Sequence, residues 1–157
     1  GNWQSLGRPA AIPADTTTIA PGPRLTTQAE VVDALRSQLG GESKVYRVGG
    51  DYAYPLMVDA EALGSHIDPA RSVYLPYLET LIQEPFEVWA MIQQHKGTGQ
   101  TAFRVRLVKR IETGDKKGLL LVAQAHKGQL ESWTFMPTSD LKYLNRQREG
   151  VLVYARE

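Results

Sequence analysis

The sequence predicts an α+β domain, with helices packed on one face of a mostly antiparallel sheet of four to five strands. Two observations carry that prediction. Residues 101–136 read as three consecutive strands, 101–112, 118–126 and 129–136, broken by turn chemistry at 113–117 and at Lys127-Gly128. Upstream, residues 27–39 and 69–83 carry the apolar spacing and end signals of helices. The strand runs are rich in Val, Leu, Ile, Phe, Trp and Thr, which suit a pleated surface, so they are expected to pair as an antiparallel meander.

Residues 1–25 are rich in Pro, Thr and Ala and read as a linker or an arm lying over the domain, which occupies 26–157. Trp3 and Leu6 stand out there: a Trp is costly to leave wet, so this piece is expected to dock. In the helix at 27–39, Thr26 or Thr27 caps the start, and Glu30 completes a capping box with Thr27. Val31, Val32, Leu35 and Leu39 form its apolar stripe, and Gly40-Gly41 ends it. Strands follow at 44–48 and 54–59, around a turn at Gly49-Gly50-Asp51; Pro55 suggests an edge. Residues 61–66 form a turn or short helix. Asp68 and Pro69 open the second helix, whose apolar side is Val73, Tyr74, Tyr77, Leu78 and Leu81. Pro76 predicts a kink or two helical pieces. Glu84-Pro85 stops it before a strand at 86–93. After the meander come a short helix at 139–146, capped by Thr138 or Ser139, a turn at Glu149-Gly150, and a last strand at 151–155.

Alternation gives each meander strand two faces. Phe103, Val105, Leu107 and Ile111 share one; Arg104, Arg106, Arg110 and Glu112 share the other. Closing the hairpin at Lys127-Gly128 sets Val122 opposite Trp133 and Leu120 opposite Phe135, so these four are expected on the apolar face. Ser132 and Thr134 then fall beside the arginines, and Lys109 on the apolar side. The longer turn at 113–117 leaves the register across it open by a residue, and a one-residue slip there would swap the faces. The arginines fit either a solvated sheet face or a functional surface.

With 157 residues, 42% hydrophobic and 22% charged, the chain has the composition of one globular domain. A net charge of +1 is too small to argue for nucleic acid, so any phosphate-binding surface must come from local clustering. The absence of cysteine excludes disulfides, thiolate chemistry and Cys-based zinc sites. No apolar run approaches a membrane span, and no leader peptide is legible. His66, His95 and His126 lie far apart without metal-ligand spacing. There is no phosphate-binding glycine loop and no Gly-x-Ser-x-Gly nucleophile elbow.

Metal-free RNA cleavage fits the remaining residue types. It needs a base for the 2′-OH, an acid for the 5′ oxygen, and cations around the phosphorane. Imidazole suits both proton roles. His66 precedes a Pro-started helix that carries Arg71 in its first turns, where the helix dipole gives a cation no reason to sit. Phosphate binding is the alternative use for such an arginine. Arg104, Arg106, Lys109 and Arg148 could add positive charge. The plainer reading of His66 is a satisfied loop histidine.

Several stretches, in order, resemble a phage and prophage domain. They are Trp3-Gln4-Ser5-Leu6-Gly7-Arg8-Pro9, Ser65-His66-Ile67 with Arg71, Tyr77 to Leu81, and Glu84-Pro85-Phe86-Glu87-Val88-Trp89. The strands 103–109 and 130–134, and Arg148-Glu149-Gly150-Val151-Leu152-Val153-Tyr154, complete the set. The domain resembled is the barnase–EndoU–colicin–RelE-like nuclease branch at the C-terminal ends of Mu-F-like minor head proteins and of polymorphic toxins. The resemblance implies an RNase-toxin-like fold with its active site on the sheet face away from the helices. It implies a metal-independent ribonuclease toxin, without a cofactor, that cuts RNA by 2′-OH attack. His66 becomes general base or acid; Arg71, Arg106, Lys109 and Arg148 bind phosphate and transition state. Thr134 becomes an orienting hydroxyl, and Glu87 a second acid/base or an arginine-holding carboxylate. Arg104, Ser132 and Tyr154 join the substrate-binding set. A monomer acting on RNA in the bacterial cytoplasm, delivered with a phage particle or as a secreted toxin and neutralised by a cognate immunity protein, completes the expectation. The alternative is a non-catalytic phage-head or nucleic-acid-binding module on the same fold.

Overall fold

A computed structural model describes residues 1–49, 54–94, 96–113, 116–126 and 128–156, apart from the side chains of Tyr54 and Lys116. Gly50 and Asp51 of the first expected turn, Gly114-Asp115 of the second, Lys127 of the hairpin, and His95 lie outside the described residues.

The chain is α+β. Its elements are β1 (Ala14–Thr16), α1 (Gln28–Leu39), β2 (Ser43–Val48), β3 (Tyr54–Asp59) and α2 (Ala60–Gly64). A 3₁₀ helix (Pro69–Tyr77) then runs into α3 (Leu78–Gln83). The rest is β4 (Glu87–Gln94), β5 (Thr101–Glu112), β6 (Lys116–His126), β7 (Gln129–Thr138), α4 (Leu141–Arg146) and β8 (Val151–Ala155). Thr27 caps α1 through the full capping box with Glu30, and Gly40, in the left-handed region at φ 74°, ends it. Pro76 explains the two-piece second helix: it has no N–H to give an α-helical ladder, so the turns before it tighten to 3₁₀. Asp140, rather than Thr138 or Ser139, caps α4, because β7 runs on to Thr138.

The sheet is larger and more mixed than four to five antiparallel strands. Its order is β2-β3-β7-β6-β5-β4-β8, with β1 added beside β5. The meander β4–β7 is antiparallel, but β3 joins β7 in parallel and β1 joins β5 in parallel. β3 therefore lies between two strands. Pro55 is tolerated because it precedes Leu56 and Met57, which make the β7 pairing.

The β5–β6 register and one bulge in β7 decide the faces. The hairpin closes with His126 opposite Gln129, and Ala123 faces Ser132, but Val122 faces Thr134. Trp133 is the extra residue, and beyond it every pairing shifts by one. Across β5 and β6, Val105 faces Ala123 and Leu107 faces Leu121, so Leu119 and Leu121, not Leu120 and Val122, share the side of Val105 and Leu107, and the bulge brings Phe135 to that side. That side is the main core, covered by α1 to α3 through Val31, Val32, Leu35, Leu63, Leu78 and Leu81. Leu120 and Val122 lie on the arginine side. There Leu120 packs in a second cluster with Ile12, Phe86, Val108 and Leu144 of α4. Ser132, expected beside the arginines, faces the main core, and Trp133 stands out from both layers, 48% exposed.

The first 25 residues lie across the domain. Trp3 N–H donates to Arg148 O (3.1 Å), Ile12 is buried, and β1 extends the sheet.

Candidate active site

The second sheet face is half covered. The arm, Phe86 and α4 close the end near Val108 and Leu120, and the end near Arg104 and Arg106 stays accessible. Arg104 donates to Gln93 Oε1 (3.2 Å) and Arg106 to the sulfur of Met91 (2.8 Å), a weak acceptor. Burial lowers the Arg106 pKa; the Glu149 carboxylate opposes that, Arg104 adds to it, and Tyr143 opposes it. These two half-buried guanidinium groups are thus held near each other with little neutral partnering. Arg110 has a different use, donating to Ile12 O (3.1 Å) and tying down the arm.

A cross-strand row runs from Arg106 through Val122 to Thr134, about 10 Å over two strand spacings. Next to Thr134 the bulge turns Trp133 outward, and its ring stacks on His66, 4.9 Å between centroids. His66 is exposed in the turn after α2. Its Nδ1 lies 2.8 Å from Ala62 O. A carbonyl can only accept, so Nδ1 carries the hydrogen, and in the neutral ring Nε2 is left with its lone pair free to accept a proton. No arginine hydrogen-bonds His66 among the described residues.

The other expected site residues fall elsewhere. Glu87 is fully buried on the arginine side and accepts from Arg148 Nε and, at 2.8 Å, from a second Arg148 nitrogen. Arg8 Nε (2.7 Å) and Trp89 Nε1 (3.0 Å) fill its remaining sites. Burial alone would raise its pKa, but the hydrogen bonds from Arg148, Arg8 and Trp89 outweigh that and hold the carboxyl below its usual range. Arg148, itself enclosed, also lies against the Trp3 ring (5.4 Å) and donates to Pro9 O. This is the arginine-holding arrangement of Glu87, with the arginine turned inward.

Lys109 lies on the helix-covered side, where alternation put it. Its Nζ donates to Glu84 O (2.6 Å) and pairs with Asp15 (2.8 Å). Tyr154 lines the same groove, remote from Arg106 by a sheet face. The Ser132 hydroxyl is buried with no partner among the described residues. Arg71 lies exposed on the 3₁₀ helix, in a basic pocket with Arg24 and Lys117. The structure therefore puts Arg104, Arg106 and Thr134 on one side of the sheet, with the enclosed Glu87–Arg148 pair farther along that side, and leaves His66 in the helix layer, where its ring meets Trp133. Arg71, Lys109, Ser132 and Tyr154 lie away from the arginines. Trp133, which stacks on His66, and Tyr143 and Glu149, which act on Arg106, were not among the expected site residues. Trp133 was legible only as an apolar strand residue, because nothing in the local pattern marks the bulge.

No three His, Cys, Asp or Glu side chains gather as a metal-holding group among the described residues. No helix among them is long and apolar enough to cross a membrane.

Helices α1 to α3 cover one face of a curled sheet, guanidinium groups line the other, and an exposed imidazole stands in the helix layer beside Trp133, an α+β layout. The comparison with protein families makes that specific. The chain belongs to the phage-Barnase-EndoU-ColicinE5/D-RelE like nuclease 2 family, whose model matches residues 30–155. No curated protein and no solved structure matches it.

Proposed function

We propose that this nuclease domain is a metal-independent endoribonuclease that acts as a toxin on bacterial RNA. His66 Nε2 takes the proton of a ribose 2′-OH, and the 2′ oxygen attacks the adjacent phosphorus. The P–O5′ bond breaks, leaving a 2′,3′-cyclic phosphate and a 5′-OH. Arg104 and Arg106 meet the charge that develops on the phosphorane, and Thr134 orients a phosphate oxygen. The acid for the 5′ oxygen must lie across the phosphate from His66, and Tyr143, on the Arg106 side, is the hydroxyl that fits. Trp133 supplies an exposed ring on which an unpaired base can stack, which favours single-stranded or looped RNA. Delivery by a phage particle or secretion route, and neutralisation by an immunity protein, belong to the same reading.

The observation that carries it is the fixed tautomer of an exposed histidine, next to an exposed tryptophan, in a chain of nuclease lineage. The test is cleavage of total RNA in EDTA, with the new ends analysed. His66→Ala should lose about 10²- to 10⁴-fold in rate, the range for a lost general base, and wild-type products should carry 2′,3′-cyclic ends. Unchanged activity in His66→Ala would remove His66 from the mechanism. Salt-sensitive RNA binding without turnover in the wild type would favour the non-catalytic module instead.

A further inference from the structure

A basic pocket of about 400 Å³ opens on the helix side of the domain, where the 3₁₀ helix meets the start of β6 and the end of β7. Arg24, Arg71 and Lys117 line it together with Tyr74, Thr138 and Ser139, and no carboxylate is in its lining. In a chain whose net charge is +1, three cations gathered with no acid among them are a local excess.

The fold holds them there. Arg24 belongs to an arm segment pinned to the 3₁₀ helix: Gly22 N–H donates to Val73 O (2.8 Å), and Leu25 N–H to Ser72 Oγ (2.7 Å). Tyr77 Oη adds a bond to Ile19 O (2.8 Å). Arg71 projects from the same helix, and neither guanidinium has a hydrogen-bond partner among the described residues. Lys117 sits over the Tyr74 ring, 5.3 Å from its centre, and donates to Ser139 Oγ (2.8 Å). Thr138 Oγ1 accepts from Asp140 N–H (3.0 Å). Both hydroxyl oxygens are therefore already accepting, which leaves their O–H groups to donate outward. Two unpaired guanidinium forks, an ammonium and two directed hydroxyls make a donor set with no acceptor of its own, the complement of a tetrahedral dianion or a phosphodiester.

We infer that this pocket is a phosphate-binding site separate from the arginine face, and that it holds a backbone phosphate of the RNA strand away from the bond that is cut. That the phosphate comes from RNA rests on the nuclease reading; the pocket's affinity for phosphate does not. Five residues of β7 separate Trp133 from Thr138, roughly 16 Å at ordinary strand rise. A strand engaged at both places would run along the β7 edge, and the pocket would fix its register and polarity.

The experiment titrates the full chain with inorganic phosphate and, separately, with a 2′-O-methyl oligoribonucleotide that cannot be cleaved, following NMR shifts and affinity. The pocket variant is Arg24→Gln/Arg71→Gln. Lys44→Gln/Arg47→Gln, two exposed cations on β2, is the control. Inorganic phosphate should shift Lys117, Thr138 and Ser139 in wild type and control but not in the pocket variant. Oligonucleotide affinity at low salt should fall about tenfold more in the pocket variant than in the control, two phosphate contacts being lost. Absent phosphate shifts, or shifts unchanged in the pocket variant, overturn the pocket. Phosphate shifts with equal oligonucleotide affinity in both variants overturn the RNA assignment and leave a small phosphorylated molecule as the ligand. No turnover enters these titrations, so their failure is distinct from a failure of His66 in cleavage.

Discussion

Glu87 shows how one buried carboxylate sets the arrangement around it. It takes four hydrogen bonds from Arg148, Arg8 and Trp89 in a site closed to solvent. Removing the carboxylate strands the enclosed Arg148 charge, and breaking a buried pair from one side costs about 3–5 kcal/mol. Glu87→Ala should therefore lower the urea-unfolding free energy by about that amount, and Glu87→Gln by less. The carboxyl titrates lower in the folded chain than in the unfolded one. Its contribution is present in full above the ordinary glutamate value of about 4.3 and is lost as the pH falls through that value toward the folded one. Asp15 is shifted downward too: burial acts against the shift, and Lys109 and Arg156 prevail. The wild type should therefore lose stability steeply below about pH 4.3, and Glu87→Gln should flatten that loss. An equal acid slope in both proteins would mean that Glu87 does not carry it. The types of these residues were legible in the sequence, but the pairing was not. Glu87 and Arg148 lie 61 positions apart, and alternation cannot distinguish an arginine facing water from one folded inward onto a carboxylate.

At the scale of elements, the sequence was most legible where local chemistry decides. The capping box of α1, the Pro76 break and the meander are all written in short-range patterns, and all are present. It was least legible where a single residue shifts a register. The β5–β6 register, one residue from the expected one, put Leu120 and Val122 on the arginine side and Ser132 on the core side, and the bulge at Trp133 turned an expected core tryptophan into an exposed ring beside His66. Gly150 holds a comparable position at the start of β8. Its φ is 107°, and a Cβ there would lie 2.5 Å from Ala90 O. Backbone strain and a collision with main chain act together, so Gly150→Ala should cost more than about 2 kcal/mol. It should also weaken the β4–β8 pairing, read as faster hydrogen exchange at Leu152 and Tyr154 than at Leu107 and Leu121. Uniform protection across those four amides would leave Gly150 without that role.

For the whole molecule, the telling feature is how much of the domain lies outside the stretch that names its family. The family model begins at residue 30. Before it, Arg8 binds Glu87, Trp3 covers Arg148, Ile12 enters the second core cluster, and β1 extends the sheet. Composition left 1–25 as either a linker or an arm over the domain, because Pro and Thr leave no periodic pattern; Trp3 and Leu6 signalled docking. The arm contributes one layer of the second core, and that core fixes α4, which carries Tyr143 beside Arg106. Cutting residues 1–12 would strip a cation from the Glu87 cluster, uncover Arg148 and open the pocket around Ile12. A chain starting at Pro13 should unfold with about 3–5 kcal/mol less free energy, from the broken buried pair and the lost core side chain. Its nuclease activity should fall further than folded fraction alone explains, because α4 loses its support. If that chain melts within about 1 kcal/mol of the full one, a span in which distal surface changes usually fall, the arm is an ornament and the site stands without it.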